Sequence, residues 1–226
     1  MTYGLLIILI LLVVIAPSMW VKFVLWMHGD EIHEMPGTGL EFANHLIDRF
    51  QLKGVTVVKG LSDENYYSPN EKKISLEPRF YDGKSLSAIA VAAHEVGHAI
   101  QFVREEQVSL LRDKYLPMAN LIQKTGVTIL IAVPFVATIL RVPSIGIFLA
   151  IVGIVTMLSS TIMYIAILPE EYDASFNKAL PILEEGYVPS QYMPAIRKIL
   201  RACAFTYVAS ALADILRLWR WLTLLK

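Results

Sequence analysis

The sequence predicts a mainly α-helical membrane protein, with three or four membrane-associated helices and a small α+β part containing a short β-hairpin. Of the 226 residues 55% are hydrophobic and 18% charged, and the mean hydropathy is +0.53, more apolar than an ordinary soluble domain. Charge-free stretches cover residues 1–21, 125–140 and 142–169. A polar region of mixed helical and strand periodicity lies between the first and second of them. Lysine plus arginine equals aspartate plus glutamate at 20 each, so no charge excess draws the chain to nucleic acid. Cys203 is the only cysteine, which excludes an intramolecular disulfide framework and a cysteine-rich zinc ribbon.

In chain order, residues 1–26 read as a transmembrane anchor, since Gly4 to Ile15 is almost unbroken aliphatic sequence and, with its flanks, spans a hydrocarbon core of about 30 Å. Met1, Thr2 and Tyr3 offer no basic segment and no A-x-A site follows, so the anchor is expected to stay uncleaved. Residues 27–124 form the polar body. Leu40, Ala43, Leu46, Ile47 and Phe50 recur at helical spacing after Gly37-Thr38-Gly39, which predicts an amphipathic helix ended by Gly54. Val55, Val57 and Val58 read as one strand and Lys73 to Leu76 as another, joined as a hairpin through the loop holding Ser68, Pro69 and Asn70. Ser85 to Gln101, rich in alanine and free of proline, predicts a long buried helix covering about residues 85–104. Residues 125–168 then form a transmembrane hairpin turning at Arg141-Val142-Pro143-Ser144, its first arm extended by Leu116 to Gln123. A helix is expected to begin at Pro169, within a segment 169–201. Residues 202–226 form a last membrane-associated helix, whose Asp214, Arg217 and Arg220 leave an apolar face that lies at the interface, packs in the bundle or spans.

The long helix carries His94-Glu95-Val96-Gly97-His98. Two imidazoles at i and i+4 share one helical face and can hold a zinc ion from one side. Glu95 projects about 100° around the helix from His94, suited to take a proton from a water that zinc acidifies. The alternative, three ordinary polar residues, would bury them among the apolar runs Ile89 to Ala93 and Ala99 to Phe102 without evident partners. Gly97 costs a helix about 1 kcal/mol relative to alanine, which suggests close packing at the site.

A catalytic zinc needs a third protein ligand. The extended motif with a third nearby histidine is absent, because Gln101 and Arg104 stand at the required positions. His28, His33 and His45 precede the motif and read as surface or juxtamembrane residues. The carboxylates of Pro169-Glu170-Glu171-Tyr172-Asp173-Ala174-Ser175 are better candidates, since two membrane crossings return them, Glu171 among them, to the side of His94 and His98. Capping of the expected helix is the rival role for these acidic residues.

With these residues in view, the chain resembles the bacterial neutral zinc metallopeptidase family often called YugP-like and, more distantly, HtpX and related membrane proteases. The first resemblance covers nearly the whole chain and rests on Ser85 to Gln101 (SLSAIAVAAHEVGHAIQ), Glu171 to Ser175 (EYDAS) and Arg201 to Leu216. It implies a zincin-like catalytic part with one zinc per chain, held by His94, His98 and Glu171, the third ligand opening an E-x-x-x-D pattern. Ser175 stands where that pattern has its aspartate, behind a ligating histidine. Asn65, Tyr66 and Tyr67 resemble a substrate-facing edge strand, which implies a peptide pairing with the Lys73 to Leu76 edge.

The expected reaction is hydrolysis of a peptide or membrane-protein substrate, with Glu95 as proton acceptor and then donor. Arg197, Arg201 and Tyr207 are candidates to stabilise the oxyanion. Rival readings are a zinc-stabilised scaffold, an intramembrane site-2-type protease, which lacks its L-D-G segment here, and a metal transporter, whose polar path the apolar stretches do not supply. Lys22, Arg112, Lys114 and Lys124 against Arg141 put the catalytic side in the cytoplasm of a bacterial inner membrane. No separate recognition domain is evident, which leaves room for a partner that delivers substrate.

Overall fold

The computed structural model describes residues 2–33 and 35–209. The expected last membrane-associated helix therefore lies, from residue 210, outside the described residues. The chain divides into two compact units, one of residues 1–19, 111–167 and 206–226, the other of residues 20–110 and 168–205.

The first unit is built on helix hairpin packing. Helix α1 covers Thr2–Met27 and passes into the second unit at residue 20. That second unit opens with α2 (Gly39–Arg49), three strands, β1 (Thr56–Lys59), β2 (Tyr66–Ser68) and β3 (Lys73–Leu76), the single-turn α3 (Pro78–Tyr81) and α4 (Leu86–Val103). Helix α5 then runs over Leu110–Leu140 and α6 over Pro143–Tyr172, with Arg141 in the left-handed region at φ 53° between them. Each of α4, α5 and α6 is long and apolar enough to cross a membrane. Within the first unit α5 and α6 approach through small residues, as membrane helices do. A methyl group built on Gly126 would lie 2.7 Å from Met157 Cγ, and one on Gly153 2.6 Å from Leu130 Cγ. Tyr164 donates to one of two amide oxygens, Asn120 Oδ1 at 2.7 Å or Gln123 Oε1 at 2.9 Å, a polar contact between the two helices.

In the second unit, α2 starts with a capping box. The Thr38 hydroxyl accepts from Glu41 N at 3.2 Å and the Thr38 amide donates to Glu41 Oε2 at 2.7 Å. That amide holds the Glu41 carboxyl below the usual carboxylate range. The sheet contains the expected short hairpin, through the loop of Pro69 and Asn70, but its first strand is β2 and not the Val55 to Val58 strand. Its order is β1-β3-β2, with β3 parallel to β1 and antiparallel to β2. Asn65 to Ser68, read as loop or edge, contains the strand β2, which fills the place beside β3. The Lys73 to Leu76 strand is thus central and both of its edges are taken, so it cannot receive a substrate strand. The apolar residues of β1 and β3 mark them as strands, but strand character alone does not say which strands pair.

Helix α4 is the core element. Ser85 caps it, its hydroxyl accepting from Ala88 N at 3.1 Å, and every residue from Leu86 to Gln101 is buried. Its first turn is tied to the end of α1, where Ser87 Oγ donates to Leu25 O at 2.8 Å and Ser87 N to His28 O at 3.1 Å. Burial inside the protein accounts for its apolar sequence, as for any helix hydrophobic all round.

The second correction concerns Pro169. No helix begins there; α6 continues through Pro169 to Tyr172 and passes into π-helical turns over Asp173–Ala179, a short α7 (Leu180–Ile182) and further π-helical turns over Leu183–Tyr187. Proline removes one backbone donor and crowds the carbonyl four residues earlier, and α6 runs on through it here. Glu170, Glu171 and Asp173 therefore cap nothing. Helix α8 (Met193–Ala204) closes the unit with Ile196, Ile199 and Leu200 fully buried.

Replacing Gly153 with valine is expected to destabilise the α5–α6 pair by about 1–3 kcal/mol, the usual cost of overpacking. A thermal melt followed by far-UV circular dichroism in detergent checks this, and an unchanged melting temperature contradicts it.

Candidate metal centre

His94 and His98 sit one turn apart on α4, their ring centroids 4.7 Å apart and the rings nearly perpendicular. Glu171 enters from the last turn of α6. Its Oε2 lies 3.3 Å from His94 Nε2 and 3.3 Å from His98 Nε2, and the three side chains are 5%, 2% and 1% exposed in the order His94, His98, Glu171. These three form the metal-ligand cluster found among the described residues, with one donor atom from each inside a 4.8 Å circle. Of the downstream carboxylates, Glu171 is the one brought to both imidazoles. Glu170 Oε1 is 3.7 Å from His98 Nδ1, beyond hydrogen-bond range.

The outer nitrogens of both imidazoles are engaged from behind. Ser175 Oγ lies 2.9 Å from His94 Nδ1 and donates its own hydrogen to Leu200 O at 3.1 Å. A hydroxyl has one hydrogen, so Ser175 must accept from His94 Nδ1–H. His94 Nε2 is left with a bare lone pair directed at Glu171. His98 Nδ1 is 3.0 Å from Gln101 Oε1, and the Gln101 amide nitrogen donates to Glu170 O at 3.0 Å and Asp173 Oδ2 at 2.9 Å. Both oxygens of Glu171 are buried without a hydrogen-bond partner.

The donor set fits zinc. A four-coordinate zinc with bonds of about 2.0–2.1 Å places its ligand atoms about 3.3–3.4 Å apart, the separation seen from Glu171 to each histidine. Without a cation the arrangement would hold acceptor lone pairs against one another in a buried site, at a cost of several kcal/mol.

Glu95 is buried at 5% exposure in the same turn of α4. Cys203 on α8 is buried too; burial pushes its thiol up, and the charges of Glu95 and Glu171 push the same way. Gly97 marks the closest approach of α4 to the π-helical segment, where an added methyl would lie 2.7 Å from Ala174 O.

Other sequence candidates have surroundings of their own. Arg197 is half-exposed and paired with Glu184, and Arg201 is exposed. Tyr207 belongs to the first unit, its ring 6.5 Å from Tyr164 with the Arg112 guanidinium over it. Asn65 Oδ1 accepts from Glu77 N at 3.0 Å, and Tyr67 is buried with its ring 5.8 Å from Phe102, while Tyr66 is partly exposed on the edge strand β2. His45 Nε2 meets Tyr187 Oη at 2.6 Å, away from the cluster's own residues. Sequence reasoning missed Gln101 and Asp173 as partners of the site; the only local signal is that Gln101 lies three residues after His98, on the same helical face.

The family described as "Putative neutral zinc metallopeptidase" matches residues 3–226. The chain belongs to this family. As a neutral zinc metallopeptidase it is similar to the "Putative membrane protease YugP" of Bacillus subtilis (strain 168), with 31% identity over 212 residues covering 90% of this chain and 89% of that protein. No solved structure matches it. The metallopeptidase family gives zinc as the metal for the cluster, and the apolar helices α5 and α6 support a membrane protein.

Gly97→Ala is expected to lower stability by about 1–3 kcal/mol through overpacking, although alanine favours a helix by about 1 kcal/mol over glycine. Bound zinc per chain should fall with it, since the Ala174 backbone is three residues from Glu171. A variant as stable as wild type with full zinc content would show that the close approach is not needed.

Proposed function

We propose that the protein is a membrane-embedded zinc endopeptidase with one zinc per chain, held by His94, His98 and Glu171, in which Glu95 moves the proton. The observation that carries this reading is the convergence of both imidazole Nε2 atoms on Glu171 Oε2 at 3.3 Å, inside a family of zinc peptidases. Zinc, when bound there, acidifies a water molecule and polarises a peptide carbonyl.

The chain's own residues do the rest. Glu95 accepts the proton of the attacking water on a carboxylate oxygen and returns it to the departing amine. Glu95 is 5% exposed and lies next to His94 in the same turn of α4, which holds its carboxylate beside the metal-binding face. Ser175 holds the His94 ring with its Nδ1 hydrogen engaged, so that Nε2 remains a lone-pair donor. An extended substrate segment is expected to pair with the outer edge of β2, the sheet edge that packs toward α4, with Tyr66 alongside it. The positive-inside bias favours a cytoplasmic active site at a bacterial inner membrane, where substrates would be peptides or membrane proteins, some brought by a partner.

A scaffold without turnover is the second reading. It is disfavoured because the cluster supplies three protein ligands among the described residues and a structural zinc site ordinarily has four.

Zinc per chain, measured by mass spectrometry on detergent-purified protein, should be near one in wild type and clearly lower in Glu171→Ala. Absence of zinc in wild type would refute the proposal, and unchanged zinc in the variant would move the third ligand to another carboxylate. Glu95→Gln should retain zinc while hydrolysis of a peptide substrate drops about 100-fold or more, within the range for a lost general base; undiminished turnover would remove Glu95 from the mechanism.

A further inference from the structure

We propose that Asp173, anchored by Lys178, is a positioning residue that fixes which way the Gln101 amide points, and thereby which nitrogen of His98 is free to bind metal. This inference rests on the zinc reading above.

A glutamine amide can be turned by 180° with little change of shape, and each orientation offers the neighbouring histidine a different group. With Oε1 toward His98, the ring carries its hydrogen on Nδ1 and presents the Nε2 lone pair to the metal position. With the NH2 toward His98, the ring would have to accept at Nδ1 and carry its hydrogen on Nε2, aimed at Glu171, which abolishes the ligand. The surroundings decide between the two. On its far side the Gln101 amide meets only acceptors, the Glu170 carbonyl at 3.0 Å and Asp173 Oδ2 at 2.9 Å. Both demand the nitrogen there and leave the oxygen for His98 Nδ1 at 3.0 Å.

Asp173 is held as an acceptor by two further donors. Asn177 Nδ2 donates to its Oδ1 at 2.7 Å, and Lys178 Nζ lies 3.4 Å from its Oδ2. Lys178 also pairs with Glu106 Oε2 at 2.9 Å, and the Glu106 amide donates to the Gln101 carbonyl at 2.9 Å. The lysine thus clamps the turn after α4 onto the π-helical segment, on both sides of Gln101. The π-helical geometry is required: turns closed between i and i+5 bring Asn177 and Lys178, four and five residues after Asp173, to one side. In an α-helix Lys178 would be rotated well away from it. Asp173 and Lys178 are 17% and 20% exposed, so the clamp is screened from bulk water.

The test uses the full chain in detergent with its histidines labelled with nitrogen-15, in the metal-free and zinc-loaded forms. In metal-free wild type the His98 signals should report the Nδ1–H tautomer before any metal is added, and Asp173→Asn should shift a measurable fraction to Nε2–H. Competition with a chelator should show zinc bound about 10-fold more weakly in Asp173→Asn, in the range for loss of a group behind a ligating histidine. Lys178→Met, a change at the partly exposed end of the clamp, should weaken zinc less, in the same direction. Gln101→Glu, which sets a carboxylate against Asp173, should weaken zinc by more than 10-fold, and adding Asp173→Asn to it should recover part of the loss. An unchanged His98 tautomer and zinc affinity in Asp173→Asn, or a double variant no better than Gln101→Glu, would overturn the proposal while zinc in wild type left the peptidase reading standing.

Discussion

The structure turns on an electrostatic conflict that a cation resolves. Two imidazole nitrogens and a carboxylate oxygen converge, 3.3 Å from nitrogen to oxygen, with almost no solvent to separate them. Nothing within hydrogen-bonding geometry satisfies the carboxylate. A cation bound at this point would offset the free energy needed to keep such groups together in a buried site. Folding of the second unit and loading of the metal are therefore expected to be one coupled event rather than two, and the burial of α4 serves chemistry as much as stability.

What brings the opposing groups to that distance is backbone proximity. At Gly97 there is no side chain between α4 and the Ala174 carbonyl, so the two helices approach closely enough for residues on each to reach a common point. Helix α8 completes the arrangement from the other side, where the Leu200 carbonyl takes the Ser175 hydrogen. Each imidazole is thus oriented by an element other than its own helix or by a residue one turn along it. Rings so fixed lose little rotamer freedom on binding, which is how orienting partners tighten a metal site.

The buried helix and the meeting of His94 and His98 on one of its faces were legible in the sequence, because i and i+4 spacing is a purely local property of α-helices. That Glu171 joins the two histidines was legible only with help, from topology and from resemblance, since nothing local marks Glu171 off from Glu170. Less was legible of the sheet. The strand-forming character of Val57, Val58 and Ile74 could be read, but not that β2 would sit beside β3, because pairing is a long-range choice among alternating strands. Pro169 followed by Glu170 and Glu171 carries the signals of a helix start, and tertiary packing overrode them. Gln101 and Asp173 could not have been joined from sequence, as their link crosses 72 positions of chain. The stretch beyond residue 209, including Asp214, Arg217 and Arg220, lies outside the described residues.

The π-helical stretch over Asp173–Ala179 has a consequence for which changes the chain can tolerate. An α-helix turns by about 100° per residue, so loss or gain of one residue within these turns would swing every later side chain around the axis by roughly that angle. Ser175 and Leu183 would leave the interior and their exposed neighbours would enter it. Substitution at a partly exposed position such as Phe176 leaves this phase intact. Chain length, more than chemical identity, is the property this segment holds constant, and lineages of such proteins are expected to vary there in composition while keeping the spacing between Glu171 and α8.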